Sequence, residues 1–154
     1  MTETAMLAAG CFWGVEETFR KTPGVQDTEV GYAGGVTDNP DYKTVCSGTT
    51  NHAEVVLVTF DPARLSFDQL LDLFFDLHDP TQLNRQGPDI GTQYRSAIFP
   101  KDEAQRQIAE TKISALAQSG KFAKPIATTI EPWPTFWTAE EYHQKYVAKK
   151  RGEL

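Results

Sequence analysis

The pattern of apolar and polar residues along the chain predicts alternating strands and helices. The clearest strand is 53–60, a run rich in β-branched residues that ends at Asp61. The clearest helix follows Ser66, which is a good N-cap, and has apolar residues at helical spacing. The predicted strands are 5–9, 25–32, 53–60, 96–99 and 126–130, and the predicted helices are 12–21, 66–77, 102–119 and 139–149.

The order of these elements predicts the fold class. The first six are strand, helix, strand, strand, helix and strand, which is the split βαβ order of ferredoxin-like folds. We therefore expect an α+β protein, a two-layer α/β sandwich with a ferredoxin-like core and a mixed sheet. The sequence contains no repeat and no linker, so one domain is expected over residues 1–154.

Two long stretches, 34–51 and 79–95, have no regular pattern. Connections longer than about 12–15 residues without secondary structure are usually functional. Tyr42 lies in the first stretch, and Asp89 and Tyr94 lie in the second. A phenol can donate a hydrogen bond to negative charge that develops on oxygen, although each of these residues is also compatible with ordinary loop packing.

Composition narrows the class of protein. The formal net charge is −6, and the one basic cluster is 149–151, so nucleic-acid binding is not expected. No apolar run approaches the roughly 20 residues of a membrane span, and the N-terminus lacks a signal-peptide pattern, so a cytoplasmic protein is expected. The three histidines lack zinc-site spacing, and Cys11 and Cys46 are not a C-x-x-C pair, so no metal is expected.

Cys11 is the candidate nucleophile. It lies between Gly10 and Gly14, where the first predicted strand ends and the first predicted helix begins. The free N–H groups and the positive end of the helix dipole favour a thiolate, which is the reactive form of cysteine. A buried structural cysteine is the alternative. Phe12 and Trp13 follow directly, and they belong either to the core or to the wall of a small apolar pocket.

Glu54 is the candidate acid. It opens the best-defined strand, in phase with Val56, Val58 and Phe60 on one face. An ionised carboxylate at the rim of an apolar face is costly without a partner. Desolvation would raise its pKa and make it a proton donor near neutral pH, whereas a solvent-facing glutamate at a strand end is the alternative.

Several short segments resemble the peptide methionine sulfoxide reductases of the A type. Residues 10–14, Gly-Cys-Phe-Trp-Gly, are similar to the GCFWG signature of that family. Further similar segments lie at 31–35, 39–42, 45–48, 52–56, 84–87, 89, 93–96 and 141–144. Because these segments follow the family order over most of the chain, the sequence is identified as a member.

The resemblance implies a reaction, the reduction of methionine-(S)-sulfoxide in proteins and as the free amino acid. The cysteine thiolate would attack the sulfoxide sulfur, the glutamic acid would protonate the oxygen beside two tyrosines, and a sulfenic acid would form. The two aromatic residues would hold the terminal methyl group of the substrate. The implied catalytic residues are Cys11, Glu54, Tyr42 and Tyr94, and the implied substrate-binding residues are Phe12, Trp13 and Asp89.

The cysteine pattern departs from that of many family members, which have further cysteines in a C-terminal tail. The sequence ends at 149–154 without one, and Cys46 matches a family cysteine that is not the usual resolving residue. We therefore expect a monomeric one-cysteine reductase without a bound cofactor that repairs oxidised proteins. Its sulfenic acid would be reduced by an external thiol, with glutathione plus glutaredoxin expected first and thioredoxin second.

Two other functions stay open at this point. A cysteine hydrolase would need a histidine base paired with Cys11. His52 is next to Glu54 in the sequence, but its side chain is expected on the other strand face. A binding module for methionine-rich segments would need an unreactive Cys11.

Overall fold

The computed structural model describes residues 1–154, which form one mixed sheet, one small hairpin and five helices. The strands are β1 (Glu3–Ala9), β2 (Val25–Ala33), β3 (Ala53–Phe60), β4 (Arg85–Gln86), β5 (Asp89–Ile90), β6 (Ser96–Phe99), β7 (Thr129–Ile130) and β8 (Trp137–Thr138). The helices are α1 (Phe12–Arg20), α2 (Tyr42–Cys46), α3 (Phe67–Leu77), α4 (Glu103–Gln118) and α5 (Tyr146–Lys150), with 3₁₀ turns at Thr92–Tyr94 and Glu141–His143.

The strand order in the sheet is β7-β6-β1-β3-β2-β8, and β4 pairs with β5 in the separate hairpin. The four central strands, β6, β1, β3 and β2, run antiparallel to one another and, with α1 and α3, form the predicted ferredoxin-like arrangement. Strand β7 runs parallel to β6, which makes the sheet mixed. The predicted α+β fold class is therefore confirmed.

The two faces of the sheet have cores of different size. One face packs against α1 and α3 in a cluster of 21 buried residues that includes Val56, Val58, Phe19 and Phe74. The opposite face has a cluster of 7 buried residues, among them Val55. Because side chains alternate along a strand, Glu54 lies on the helix-covered face, in the phase predicted for it.

Most predicted elements are confirmed, some of them to the residue. Strands β3 and β6 have the predicted bounds. Helix α3 follows Ser66, whose hydroxyl accepts a hydrogen bond from the backbone N–H of Gln69 in a capping box. Helix α4 is capped by Asp102, and Gly120 beyond its end has a φ of +75°.

The prediction of one helix over 139–149 is wrong. A 3₁₀ turn at Glu141–His143 and the short α5 replace it, and Lys145 between them is left-handed with a φ of 52°. The cause is tertiary. The side-chain amide of Gln144 accepts from the N–H of Val30 and donates to its carbonyl, both at 2.9 Å, and so holds the segment against β2.

The two irregular stretches contain short elements that the pattern did not predict. The first contains α2, which is capped by reciprocal hydrogen bonds between Asp41 and Thr44. The second contains the β4–β5 hairpin and a 3₁₀ turn. The strand predicted over 126–130 is shorter and spans Thr129–Ile130. None of the helices has the length and apolar character needed to cross a membrane.

Candidate active site

Cys11 lies at the turn from β1 to α1 and is the N-cap residue of the helix. Gly10 makes the turn with a φ of +100°, and a Cβ there would lie 2.9 Å from the Cβ of Gln86. Glycine therefore allows the β4–β5 hairpin to close against the turn. A Cβ on Gly14 would have no atom within 4 Å, so one side of the cysteine stays open.

A cavity of about 350 Å³ is lined by Cys11 and Asp89. The other walls come from α1, from the end of α3 and from the hairpin, through Val15, Leu77 and Gln86 among others. The hairpin thus brings the predicted substrate-site aspartate to the predicted nucleophile. The space beside the cysteine is open enough to admit a side chain of the size of methionine sulfoxide.

The position of Cys11 does not by itself activate its thiol. Burial raises the pKa of the thiol to about 11, and the hydrogen bond from the backbone N–H of Trp13 lowers it by less. The carboxylates of Glu54 and Asp89 raise it further. The prediction of a thiolate at this helix N-terminus is therefore wrong for the free protein at neutral pH. The cost of burying the charged sulfur outweighs the stabilisation that the helix N-terminus provides.

Glu54 is buried against the N-terminus of α1, with 1% of its surface exposed. Its Oε1 accepts a hydrogen bond from the backbone N–H of Phe12 at 3.1 Å, and its Oε2 is buried without a partner. Burial raises the pKa of the carboxyl to about 8, and the bond from Phe12 opposes this. At pH 7 the side chain is therefore mostly a neutral acid with one free oxygen, next to the chain segment that carries the nucleophile.

Tyr42 and Tyr94 come from the two irregular stretches and lie near Glu54 and Cys46. Burial raises the pKa of both phenols, and the negative charges of Cys46 and Glu54 raise it further. Both phenols therefore stay protonated and can donate hydrogen bonds. Tyr42 opens α2, where its backbone N–H donates to Glu140 at 2.9 Å. The structure thus brings the two tyrosines to the predicted acid.

Arg95 ties the two irregular stretches together. Its guanidinium pairs with both carboxylate oxygens of Glu131, at 2.9 and 3.0 Å. It also donates to the carbonyl of Asn51 at 2.9 Å and to that of Thr92 at 3.0 Å. A bidentate pair of this kind fixes direction as well as distance. The place of Tyr94, the preceding residue, is thereby set.

Phe12 and Trp13 have different surroundings. Phe12 is 1% exposed, and its ring packs 5.2 Å from that of His143 within the main core. Trp13 is partly exposed. Its indole stacks on Tyr146 with ring centroids 3.9 Å apart, and its N–H donates to Nδ1 of His143 at 2.9 Å. Of the two aromatic residues beside Cys11, Trp13 is therefore the one that keeps some exposed surface.

His143 and Glu140 belong to the surroundings of the site, although the apolar pattern did not single them out. Because Nδ1 of His143 accepts from Trp13, the neutral ring has its proton on Nε2, which is buried without a partner. Burial lowers the pKa of this ring, so it stays neutral. Glu140 accepts from the backbone of Tyr42. A signal was present, since 141–144 is among the segments that resemble the family.

None of the histidines is a base for Cys11. His52 bonds to the backbone of residues 35 and 37. His78 lines the cavity at Cys11, but its nitrogens bond to a carbonyl of α3 and to the hydroxyl of Ser96. A cysteine hydrolase therefore lacks its base. No group of three or more His, Cys, Asp or Glu residues is placed to hold a metal ion.

An α+β sandwich with a cysteine at a strand-to-helix turn and a neutral buried acid beside it indicates a thiol-dependent enzyme. The sequence profile of the family described as Peptide methionine sulfoxide reductase matches residues 3–154. The chain belongs to this family of oxidoreductases, and the resemblance found in its short segments is confirmed.

Individual relatives agree with the family match. The chain is 59% identical over 150 residues to the peptide methionine sulfoxide reductase MsrA of Methanoculleus marisnigri. The matched region covers 97% of this chain and 92% of the relative. It is similar to Mxr1 from Saccharomyces cerevisiae in reduced form, with a TM-score of 0.88 and 43% identity over 97% of this chain and 86% of that one. It is also similar to Mxr1 in complex with Trx2, with a TM-score of 0.64 and 32% identity over 94% and 84%.

Proposed function

We propose that the protein reduces methionine-(S)-sulfoxide to methionine, in oxidised proteins and as the free amino acid. One observation supports the chemistry above all others: Glu54 is a buried acid with a raised pKa and one unpartnered oxygen, beside the N-terminus of α1. Reduction of methionine sulfoxide as a repair reaction is the activity of the family. The preference for the S epimer follows from the same family.

The reaction needs a proton on the sulfoxide oxygen before that oxygen can leave sulfur. Glu54 donates this proton, and the phenols of Tyr42 and Tyr94 donate hydrogen bonds to the same oxygen. The positive charge that develops on the sulfoxide sulfur favours loss of the Cys11 thiol proton, which returns to the Glu54 carboxylate. The Cys11 thiolate attacks the sulfoxide sulfur, and in the rearrangement that follows the S–O bond of the substrate breaks and its hydroxyl is transferred to the cysteine sulfur. Methionine leaves with the electron pair of that bond, so methionine is reduced and the cysteine is oxidised to a sulfenic acid.

The substrate side chain enters by the cavity beside Cys11, and its terminal methyl group lies against the exposed part of Trp13, which follows Cys11 closely in the chain but does not line the cavity. Phe12, which is 1% exposed, lies behind this wall in the core. The indole of Trp13 is suited to this role because Tyr146 and His143 fix its orientation. Asp89 faces the same cavity from the hairpin and binds the substrate from the opposite side. A fixed apolar wall holds the sulfur in line with the thiol, which lowers the entropic part of the barrier.

An external thiol reduces the Cys11 sulfenic acid in this proposal, and no bound cofactor takes part. Cys11 and Cys46 are both free thiols, and Cys46 lies with the two tyrosines rather than in the cavity. Glutathione with glutaredoxin is our first choice of reductant. Thioredoxin is the second, and the similarity to Mxr1 in complex with Trx2 supports it. The enzyme would act as a monomer in the cytoplasm, where thiols are kept reduced.

Turnover of resolved epimers tests the proposal. With dithiothreitol as reductant, the wild type should reduce the S epimer of a methionine sulfoxide substrate and leave the R epimer. Cys11→Ser should abolish turnover while circular dichroism and the melting temperature stay close to those of the wild type. Turnover of the R epimer, or activity that survives in Cys11→Ser, would contradict the proposal.

The reductant is tested by mass spectrometry after a single turnover. With glutathione present, the expected product is a glutathione adduct on Cys11. An intramolecular disulfide between Cys11 and Cys46 would contradict the one-cysteine route. A Cys11 that forms no sulfenic acid when methionine sulfoxide is supplied would instead favour a binding module without catalysis.

A further inference from the structure

A second cleft, of about 1040 Å³, adjoins the cavity at Cys11. Leu77 and His78, at the end of α3, line both of them. Strand β4 also joins them, because Arg85 lines the cleft and the next residue, Gln86, lines the cavity. The two concave surfaces therefore meet at the end of α3 and at β4, and we refer to them together as the groove.

His78 forms a rigid, uncharged ridge between the two parts of the groove. Its Nδ1–H donates to the carbonyl of Phe74 at 2.6 Å, since a carbonyl can only accept, and its Nε2 accepts from the hydroxyl of Ser96 at 2.7 Å. Burial lowers the pKa of the ring to about 4. The surface that a ligand would cross from cavity to cleft is thus preformed and neutral, so little ordering is needed on binding.

The cleft is richer in cations than the molecule as a whole, whose formal net charge is −6. Arg85, Lys121 and Lys124 line it, against the two carboxylates of Asp76 and Asp79. Lys121 pairs with Asp76 at 3.2 Å, and Asp79 accepts hydrogen bonds within its own loop. Arg85 and Lys124 form no ion pair within 4.0 Å, although Lys124 is close enough to Asp79 to lower the pKa of that carboxyl. Two positive charges in the cleft are therefore not held by a direct ion pair.

Apolar surface flanks these cations. Leu83 lines the cleft and is 69% exposed, and Phe122 lines it from the segment after α4. Ile90, which follows the cavity residue Asp89 in β5, is 71% exposed. Apolar side chains beside unpaired cations suit an extended polypeptide that offers both an apolar stem and a carboxylate.

We propose that this groove binds the polypeptide next to the oxidised methionine and selects substrates with an acidic side chain within a few residues of it. The inference deepens the proposed function and rests on it. A sulfoxide side chain in the cavity places its own backbone at the rim, and an extended chain advances about 3.3 Å per residue from there. Neighbouring residues would therefore lie over the cleft, with a carboxylate near Arg85 and Lys124.

Peptides of one length test the inference. The three peptides differ only in the residues that flank the sulfoxide, which are Asp, Asn or Lys, and dithiothreitol is the reductant. Each kcat/KM is divided by the value for free methionine sulfoxide, because this small substrate is too short to reach the cleft. The expected order is Asp, Asn, Lys, with about a tenfold difference between the first and the last at low salt, since exposed charge pairs are individually weak. The difference should shrink as salt is added.

Charge variants connect this preference to the cleft. Arg85→Gln combined with Lys124→Gln should bring the Asp-to-Lys ratio close to one, and Arg85→Glu combined with Lys124→Glu should reverse it. Arg64→Gln combined with Lys101→Gln is the matched control. It removes two exposed cations that form no ion pair and do not line the groove, and it should keep the wild-type ratio.

Three results would overturn the inference. The first is equal normalised kcat/KM for all three peptides in the wild type, and the second is an unchanged preference in the cleft variants. The third is an effect of the cleft variants that appears only with thioredoxin or glutaredoxin as reductant, because the groove would then bind the reductant. A wild type that reduces no sulfoxide, free or peptide-bound, would be recognised separately as failure of the proposed function, and the inference would fall with it.

Discussion

Helix α1 is flanked by two buried carboxyl groups that differ in how their oxygens are used. Glu16, within the helix, accepts from the hydroxyl of Thr28 and from the backbone N–H of Lys145, each at 2.7 Å. Glu54, at the helix N-terminus, accepts one hydrogen bond from Phe12 and leaves Oε2 unpartnered. Both are 1% exposed. Burial is therefore common to the two, and the free oxygen is what distinguishes them.

The difference separates a structural carboxylate from a chemical one. Glu16 uses both oxygens to connect α1 with β2 and with the C-terminal segment. An unpartnered buried oxygen costs about 1–3 kcal/mol, so a protein without a use for it gains by replacing it. At Glu54 the missing partner is the sulfoxide oxygen in our proposal, and the cost is offset only when substrate is bound.

The largest expected effect is on catalysis at Glu54. Glu54→Gln keeps an acceptor for the Phe12 N–H but cannot give up a proton, so kcat/KM should fall by about 10²–10³-fold. Glu16→Gln is the matched control and should retain most of the activity, because its amide can still bond to both partners. Steady-state kinetics on a methionine sulfoxide peptide measures both. Comparable losses in the two variants would erase the distinction between the carboxyl groups.

The next effect is a pH dependence that belongs to Glu54. Burial raises its pKa from 4.5 to about 8, so the proton that the unfolded chain loses near pH 4.5 is kept by the folded protein until about pH 8. Its contribution to stability is full below pH 4.5 and is lost as the pH rises through 8. Activity should fall over the same pH range, because Glu54 loses the proton that it donates. Above a pH of about 8 the rate should decrease about tenfold per pH unit.

Single-turnover rates measure this alkaline decrease in activity without interference from the ionisation of the reductant. Glu16→Gln should keep it and Glu54→Gln should lose it. A wild-type rate that instead rises steadily from pH 7 to pH 10 would assign the limiting proton to the Cys11 thiol rather than to Glu54.

The smallest effect is on stability at Glu16. Glu16→Met keeps the length of the side chain but removes the acceptor for the N–H of Lys145, so the free energy of unfolding should fall by about 1–3 kcal/mol. Glu16→Gln should lose less than half as much. Urea denaturation at pH 6 measures both variants. Equal losses would mean that packing, and not the hydrogen bonds, determines the contribution of this residue.

The fold was predictable where the sequence pattern and the packing coincide. Strand β3 was predicted to the residue because its alternate positions are buried on both faces of the sheet. The helix predicted over 139–149 failed because hydrogen bonds from Gln144 to Val30 decide that segment. These bonds depend on the position of β2 more than 100 residues earlier, and no local periodicity reports it.

The candidate site was predictable only in part for the same reason. The strand phase indicated that Glu54 is buried, and the strand-to-helix turn placed Cys11. The direction of the Cys11 pKa shift was missed, because the thiol is buried among residues that are distant in sequence, such as Leu77 and Gln86. The hydrogen bond between Trp13 and His143 joins residues 130 positions apart, so spacing could not reveal it. The individual roles came from the family resemblance and stay proposals.

The side-chain amide of Gln144 also affects how the protein meets other chains. Strand β8 pairs with Gly31 and Tyr32 of β2, and the backbone N–H of Ala139 donates to the carbonyl of Val30 at 3.0 Å. The remaining groups of that edge would be free to bond to a foreign strand. The amide occupies both groups of Val30, and the ammonium of Lys145 occupies the carbonyl of Thr28 at 2.9 Å. Two side chains thus end the ladder without forming a new edge. At this edge of β2, a partly unfolded chain bound as substrate in our proposal therefore finds few free backbone groups with which to extend the sheet.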